Sequence, residues 1–401
     1  MDDLGDVLAK IVGESNVDVG DAVSDDDTHD ECLTVAGIRP AAVVRPATTD
    51  EVARVVALAA ERGVPVTARG SGTGLSGACA PIDGGLVVSF SRMAEIVEID
   101  LENHVAVVQP GVTLAQLDEA LTPHGLVYPV FPGESSASLG GNVATNAGGM
   151  RAVKYGVTRH QVLGLTAVLG TGEVIDTGGR FVKSTSGYEL TQTIIGSEGT
   201  LAIVTEALLR LYPRLAHAAT LLAPFRTLQE ITDAVPRIVA GGVGPLVLEY
   251  IDRLAMAGIA KANDLHLGVP HEVRADALAY LVVVLEQRRS DRLDEDVDEL
   301  ASMLADLGAI DVYVLPSHSG VALIEGREKV FWTAKAIGAD DIVDMVVPRA
   351  AIPADMAKVS ELSESSGSRI VGCGHAGDGN VHLSVYQPDD AVREEMLREL
   401  F

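Results

Sequence analysis

The chain has little cysteine. Cys32, Cys79 and Cys373 are its only three among 401 residues, and they stand far apart. None belongs to a C-x-x-C pair, so no disulfide framework is indicated. An iron–sulfur cluster takes four cysteine ligands and is not expected either; electrons handled by this chain must leave by another route. Long apolar runs are also missing. No stretch approaches the roughly 20 residues that span a bilayer. The acidic start Met1-Asp2-Asp3-Leu4-Gly5-Asp6 lacks the basic and apolar regions of a secretory leader. The expectation is a cytoplasmic protein without a transmembrane segment. Positive charge is scarce: 30 Lys and Arg face 57 Asp and Glu, a net charge of −27. Such a field disfavours nucleic acid and anionic lipid as partners. It does not repel an anionic substrate where a local positive charge or a metal dominates. The run Asp25-Asp26-Asp27, with Asp30-Glu31 beyond, reads as a solvated loop or helix start. No internal repeat or low-complexity segment is evident.

What is present is a globular composition, 47% hydrophobic and 22% charged. The chain is too long for one core, so two or three domains are expected. Thr49 to Arg62 reads as a helix, because Val52, Val55, Val56 and Ala59 share one face and Thr49 can cap it. Thr113 to Leu121 reads as a shorter helix opened by its threonine. Strands are expected at 64–68, 85–89, 96–100, 105–109, 163–169 and 201–211. Gly133 to Met150 is dense in Gly, Ser and Asn. Too poor in large side chains to build its own core, it is expected to wrap a ligand with its backbone. The texture changes past Pro213, and a boundary is placed near Arg214, giving segments 1–214 and 215–401. In the second segment, strands at 220–224, 246–251, 281–285, 311–315, 344–347 and 369–373 alternate with helices. Those helices are expected at 228–239, from Asp252, and at 291–307, 326–337 and 353–365, the pattern of an α+β domain.

Two motifs point to chemistry. The first is Gly374-His375-Ala376-Gly377-Asp378-Gly379-Asn380-Val381-His382. Asp378-Gly379 signals a two-residue hairpin loop, since both residues tolerate positive φ. Counting outward, Gly377 faces Asn380, Ala376 faces Val381 and His375 faces His382. The two imidazoles would then share one face, with Cβ atoms roughly 5 Å apart, and could share one metal ion. The second is Arg69 to Gly77, within which Gly72-Thr73-Gly74-Leu75-Ser76-Gly77 matches the G-x-G-x-x-G pattern. A Rossmann site needs that pattern to open a helix. Here Ala78-Cys79-Ala80 runs into Pro81 and then Gly84-Gly85, which leaves no room for one. The loop reads instead as a nest of backbone N–H groups that cradles phosphate.

Several blocks extend these motifs: A-R-G-S-G-T-G-L-S-G from Ala68, Q-P-G-V from Gln109, P-G-E-S-S-A-S-L-G-G-N-V-A-T-N-A-G-G from Pro132, K-Y-G from Lys154, G-S-E-G-T-L from Gly196, L-E-Y-I-D from Leu248 and G-H-A-G-D-G-N-V-H from Gly374. In this order they resemble the FAD-linked oxidase family, in the glycolate oxidase and D-lactate dehydrogenase branch of the vanillyl-alcohol-oxidase-like flavoproteins. The resemblance covers nearly the whole chain. It implies an α+β fold: a two-lobed, PCMH-type FAD-binding domain over 1–214, and a ferredoxin-like α+β substrate or cap domain over 215–401 that covers the isoalloxazine ring. It also implies that Ser71, Gly72, Thr73, Gly74 and Leu75 hold the pyrophosphate, flanked by Arg69 and Gly77. Pro132, Gly133, Ser138, Gly141, Asn142, Thr145 and Asn146 would line the flavin. Glu198, Gly199 and Ile203 would lie against the adenosine part or the flavin edge, and Asn380 would reach the flavin from the cap. Relatives with covalent flavin attach it through His or Cys. Neither occurs in Arg69 to Gly77, so FAD is expected to bind non-covalently, with Cys79 just past the loop.

The reaction implied by the resemblance is oxidation of a D-2-hydroxy acid, of the lactate, glycolate or 2-hydroxyglutarate type, to the 2-oxo acid. The α-hydroxyl must lose its proton while the α-hydrogen leaves as hydride to flavin N5. A divalent metal such as Zn or Mn would lower the hydroxyl pKa, a base would take the proton, and the flavin would supply the redox chemistry. In metal-dependent relatives the histidines matching His375 and His382 are ligands, and a later G-E-H-G block supplies a third ligand and the base. No such block occurs before Phe401. Ala391 to Phe401 reads as a helix still in progress, so the chain is expected to be shortened at its end. Lys335 stands three residues past Trp332, where relatives carry an Arg that grips the substrate carboxylate; Lys supplies charge without the fork. A quinone, an electron-transfer protein or oxygen would accept the electrons. A flavin-binding subunit or impaired relative is the competing reading.

Overall fold

The computed structural model describes residues 4–401; Met1-Asp2-Asp3 of the acidic start lie outside them. The chain forms two compact units. One runs to Gly148 and resumes over Gly156–Arg214; the other joins Gly149–Tyr155 to Leu215–Phe401.

The first unit has two lobes. In the first lobe, β1 (Val17–Val19), β2 (Ala42–Val44), β3 (Val66–Arg69) and β4 (Leu86–Ser89) form a sheet of order β1-β2-β4-β3. β4 is buried along its whole length between parallel neighbours, which is why Leu86-Val87-Val88 reads as a continuous apolar run. The helices Leu4–Val12 and Thr49–Arg62 lay Leu8, Val12, Val52, Val55 and Val56 on it. Thr48, not Thr49, caps the second helix: its Oγ1 accepts from Glu51 N at 3.2 Å. The second lobe is an antiparallel sheet of β5 (Ile96–Asp100), β6 (Val105–Val108), β8 (Val162–Leu169), β9 (Val174–Gly178) and β10 (Ala202–Arg210), in the order β5-β6-β10-β8-β9. A short ribbon pairs β7 (Leu126–Val127) with β11 (Tyr212–Pro213). The helix Leu114–Leu121 carries the expected Thr113 cap. Gly133 to Met150 packs with this lobe. It contains the helix Leu139–Thr145, whose Leu139 and Val143 are fully buried in this lobe.

The second unit is one antiparallel sheet of seven strands: β12 (His217–Phe225), β13 (Val247–Asp252), β14 (Ala279–Gln287), β15 (Tyr313–Leu315), β16 (Asp341–Val346), β17 (Arg369–His375) and β18 (Asn380–Tyr386). Their order is β15-β12-β14-β13-β17-β18-β16. Alternate residues feed two cores, as the pleat requires. Leu221, Phe225, Leu281, Val283, Leu383 and Val385 pack with residues of the helices Leu228–Ala240, Ser290–Asp306 and Ile352–Ser366. Leu222, Ile251, Tyr280, Val282 and Cys373 pack with residues of the helices Arg253–Ala262 and Ser317–Glu328. The helix expected at 326–337 is in fact two, Ser317–Glu328 and Val330–Ala336.

Candidate functional site

In the first unit the chain leaves β3 at Arg69 and runs to β4 without forming a helix. Two serines fix the loop. Ser71 N donates to Ser138 Oγ at 3.2 Å, and Ser138 N donates to Ser71 Oγ at 3.0 Å. Ser138 Oγ also caps the helix Leu139–Thr145 by accepting from Gly141 N at 3.4 Å. Glycine is required beside them: a Cβ on Gly70 would stand 2.0 Å from Ser138 Oγ, and one on Gly140 would stand 2.4 Å from Pro110 Cβ. Arg69 is anchored by His29 O, to which Nη1 donates at 2.7 Å, and by Asp27 Oδ1, 3.5 Å from Nε. The acidic run is therefore only partly solvated. Asp25 and Asp26 are exposed, but Asp27 and Asp30 are buried, and Asp30 accepts from Cys32 N and Cys79 N at 3.1 and 3.4 Å.

A cleft opens in this unit beside the loop that follows β3. Its walls are largely apolar or backbone, from Ala68, Gly70, Pro110, Gly140, Ala144 and Ala202 among others, with Arg69, Thr145, Ser197 and Glu198 as polar points. Ser197 Oγ is buried there without a hydrogen-bond partner, and so is Asn142 Nδ2 on the adjoining helix. Glu198 and Asn146 hold φ at 51°, a left-handed conformation that costs energy for residues with a Cβ. Close backbone, a mainly apolar lining and orphaned polar atoms fit a large planar cofactor with a polar edge. Cys79 also lines the cleft, and burial pushes its thiol up, which works against a nucleophilic thiolate there.

In the second unit β17 and β18 carry both histidines. Their register pairs His375 with Asn380 and Cys373 with His382. The two-residue loop inferred from Asp378-Gly379 is thus corrected to four residues, Ala376 to Gly379, and His382 does not lie directly opposite His375. The turn is set by its surroundings: Gly377 N donates to Leu248 O at 3.2 Å, and both Asp378 N and Gly379 N donate to His375 O at 3.1 Å. Of the Asp-Gly pair, Gly379 has positive φ, at 91°, and Asp378 does not. Because side chains alternate with period two, this two-residue shift keeps both imidazoles on one face. They meet as diagonal neighbours, with ring centroids 4.8 Å apart and Nε2 atoms 3.2 Å apart.

Each ring is braced on its other nitrogen. Glu249 of β13, completely buried, binds His375 Nδ1 through one oxygen. Its second oxygen lies 2.9 Å from Arg327 Nη2, an ion pair whose angle falls short of a hydrogen bond. Asp344 of β16 lies 3.3 Å from His382 Nδ1 and accepts from Asn380 Nδ2. Burial pushes the Glu249 carboxyl up, but His375 and Arg327 outweigh it and hold the group below the usual carboxylate range. Burial holds His382 below its usual value, toward the neutral ring. An ionised carboxylate only accepts, so each braced Nδ1 carries the hydrogen. His382, held toward the neutral ring, then turns an Nε2 lone pair toward His375 Nε2 at 3.2 Å. That contact is repulsive unless a proton or a cation stands between them. Metal-ligating imidazoles usually donate their other ring N–H to a carboxylate or carbonyl, as both rings do here. Among the described residues, no group of three or more His, Cys, Asp or Glu is placed to hold a metal.

Of the residues that the sequence motifs single out, Arg69, Gly141, Thr145, Glu198, Gly199 and Ile203 line the first unit's cleft. Ser71 and Ser138 form the tie beside it, and Asn142 and Asn146 belong to the helix Leu139–Thr145 and its C-cap. Gly72, Thr73, Gly74, Leu75 and Gly77 continue the loop, while Pro132 and Gly133 precede the helix; none of these is part of the cleft lining. Asn380 directs its amide to Asp344 and to Met345 O, the latter at 3.2 Å. Lys335 lies outside the histidine row, its Nζ 5.4 Å above the Trp332 ring. Glu249 falls in the L-E-Y-I-D block from Leu248, whereas Arg327 and Asp344 carry no sequence signal of their own; strand and helix packing brings the three together at the histidines.

Residues 40–178 match a family described as FAD binding domain, and residues 214–401 one described as FAD linked oxidases, C-terminal domain. A protein of Mycobacterium tuberculosis named as an uncharacterized FAD-linked oxidoreductase is 54% identical over 394 residues, 98% of this chain and 86% of that protein. A D-lactate dehydrogenase of Anaerostipes hadrus is 36% identical, covering 93% of this chain and 79% of that protein. Among solved structures, p-cresol methylhydroxylase with substrate bound superposes with a TM-score of 0.81 at 18% identity, covering 99% of this chain and 85% of that one. The last likeness shows the fold, which is the α+β arrangement of PCMH-type flavoproteins.

Proposed function

The chain belongs to the FAD-linked oxidase family, and from that premise we propose that it oxidises a D-2-hydroxy acid to the 2-oxo acid with FAD as acceptor. An FAD-dependent oxidoreductase follows from the family; the substrate class is the proposal. The observation that carries it is the pair of carboxylate-braced imidazoles whose Nε2 atoms converge at 3.2 Å. Such a pair suits one divalent cation, Zn or Mn, held by His375 and His382. The ion would supply Lewis acidity to an α-hydroxyl and its neighbouring carboxylate. Bound FAD supplies the two-electron acceptor.

The chain's own residues supply position and charge. Glu249 and Asp344 fix both tautomers, and Arg327 keeps Glu249 ionised. Lys335 contributes a single positive charge for the substrate carboxylate. Ser71 to Leu75 hold the pyrophosphate of non-covalent FAD with backbone N–H groups, and Ser138, Gly141, Thr145, Glu198, Gly199 and Ile203 shape its site. Oxidation would break the α C–H bond with its electron pair passing to bound FAD and release the hydroxyl proton to solvent, and a quinone, an electron-transfer protein or oxygen would take the two electrons afterwards. Because two imidazoles alone make a weak catalytic metal site, a flavin-binding subunit without turnover is the second reading.

The test of the carrying observation is metal titration of chelator-treated protein by calorimetry. Zn²⁺ or Mn²⁺ should bind one per chain, and His375→Ala and His382→Ala should each weaken binding at least tenfold. Equal binding by wild type and both variants would place the ion elsewhere and remove the support for this reading.

A further inference from the structure

The second unit carries another concavity that the reaction above does not use. It lies at the end of β13, where the chain enters the helix Arg253–Ala262. Its floor is apolar: Met256, Val269 and the ring of Tyr280 are buried, with Leu265 and Leu267 beside them. The loop from Asp264 to Pro270 alternates, turning Leu265, Leu267 and Val269 inward and leaving His266 and Pro270 exposed. Around the mouth stand Arg253, His266, His271 and Arg274, all exposed.

Charge makes this cleft unusual. The chain holds 57 acidic residues against 30 basic ones, yet no Asp or Glu lines it. Of the flanking carboxylates, Asp264 and Glu272 are exposed and outside the lining, and Asp252 and Asp276 are engaged elsewhere. Asp252 accepts from Ala255 N and Gly372 N at 2.7 and 2.6 Å, and Asp276 faces Arg226 at 3.9 Å. No carboxylate among the described residues comes within ion-pair distance of Arg253 or Arg274, although many other arginines of the chain have one. Burial pushes the Tyr280 phenol up while the positive charges of Arg274 and Arg253, which line the same cleft, pull it down. Two uncompensated guanidinium groups over an apolar floor repel cations and solvate a neutral ligand poorly. They suit an anion with an apolar part, because guanidinium matches carboxylate and phosphate geometry.

We propose that this cleft is a binding site for an amphipathic organic anion, a carboxylate or a phosphate ester, with its charged head between Arg253 and Arg274 and its apolar part on Met256, Leu265, Val269 and Tyr280. The site is separate from the histidine row and does not depend on the reaction assigned to it.

The experiment is calorimetric titration of the FAD-loaded full chain with four probes: octanoate, octyl phosphate, inorganic phosphate and octanol. At least one of the two amphipathic anions should bind, and phosphate and octanol should each bind at least tenfold more weakly. Octanoate binding best identifies a carboxylate ligand; octyl phosphate binding best identifies a phosphate ester. Arg253→Gln and Arg274→Gln should each weaken the anion roughly tenfold or more, the scale of a lost charge-assisted hydrogen bond, while FAD content and flavin reduction stay at wild-type levels. Anion binding of equal strength in wild type and both variants would overturn the proposal. So would octanol binding as tightly as octanoate and octyl phosphate, or no binding of either anion.

Discussion

Adding one methyl group at Gly70 should cripple flavin binding. A Cβ there would stand 2.0 Å from Ser138 Oγ, about 1.4 Å inside the 3.4 Å at which ordinary contact begins. The side chain of Ser138 cannot rotate away freely, because its Oγ accepts from Ser71 N at 3.2 Å and from Gly141 N at 3.4 Å. Gly70→Ala must therefore break the tie between the loop and the helix Leu139–Thr145, or shift one against the other. Overpacking of this kind costs about 1–3 kcal/mol, and each lost neutral hydrogen bond adds about 0.5–1.5 kcal/mol. With both bonds to Ser138 Oγ lost the cost is about 2–6 kcal/mol, and at tenfold per 1.4 kcal/mol FAD affinity should fall by roughly 30- to 20,000-fold. The assay is titration of flavin-free protein with FAD, followed by fluorescence, with thermal unfolding in parallel. A second variant separates the cause. In Gly70→Ala with Ser138→Ala the oxygen is gone, and the nearest remaining side-chain atom is the Cβ of residue 138 at 3.2 Å. The double variant should bind FAD more tightly than Gly70→Ala alone, a coupling that independent sites do not show. Wild-type affinity in Gly70→Ala, or no recovery in the double variant, would refute this account of the loop.

Other consequences concern the second unit. Glu249→Gln leaves Arg327 buried without its counter-charge. It should cost about 3–5 kcal/mol in urea unfolding, and a loss below about 1 kcal/mol would show that the pair is not the anchor described. Burial pushes Glu328 up to about 7 from an ordinary 4.5, so the folded protein binds the extra proton and stability falls as pH rises through that interval. Glu328→Gln should then be more stable than wild type at pH 8 by about 1–2 kcal/mol, after discounting for partial solvent access, with no gain at pH 4; an equal gain at both would contradict the assignment. Burial pushes the Cys373 thiol up to about 11, so folded protein should resist alkylation there at pH 8 while Cys32, half-exposed, reacts. Mass spectrometry of the labelled chain reads both sites.

Local chemistry was legible in the sequence wherever it acts alone. The apolar face of Thr49–Arg62 and the Thr113 cap were visible because period and capping are local properties. The absence of a helix after Gly77 was visible for the same reason, since Pro81 and Gly84-Gly85 forbid it. The hairpin was misjudged by two residues because a contact outside it, Gly377 N to Leu248 O, opens the turn; the even shift preserved the face and hence the convergence of the rings. The helix Ser317–Glu328 was partly missed because Val321, Ala322, Leu323 and Ile324 are consecutive and show no face, while Ser319, Gly320 and Gly326 supply much of its buried side. Leu139 and Val143 were hidden among the glycines of their segment, and two apolar residues proved enough to seat a helix. The braces of the histidines were least legible of all. Glu249, Arg327 and Asp344 lie on separate elements, and only the order β13-β17-β18-β16 brings those carboxylates to the two rings.

The proposed reaction is hydride transfer from a D-2-hydroxy acid to FAD, with His375 and His382 braced by Glu249 and Asp344. Anaerobic rapid mixing of the FAD-loaded protein, supplemented with Zn²⁺ or Mn²⁺, with D-lactate, L-lactate, glycolate and D-2-hydroxyglutarate tests it most directly, read by loss of the oxidised flavin absorbance. Bleaching is expected with at least one acid of D configuration or with glycolate and not with L-lactate, and it should slow by roughly 10²-fold or more in His375→Ala, in line with the cost of disabling a group that acts on the reacting proton or its metal. Bleaching by L-lactate at the same rate, undiminished bleaching in His375→Ala, or an oxidised flavin that no hydroxy acid touches would contradict it.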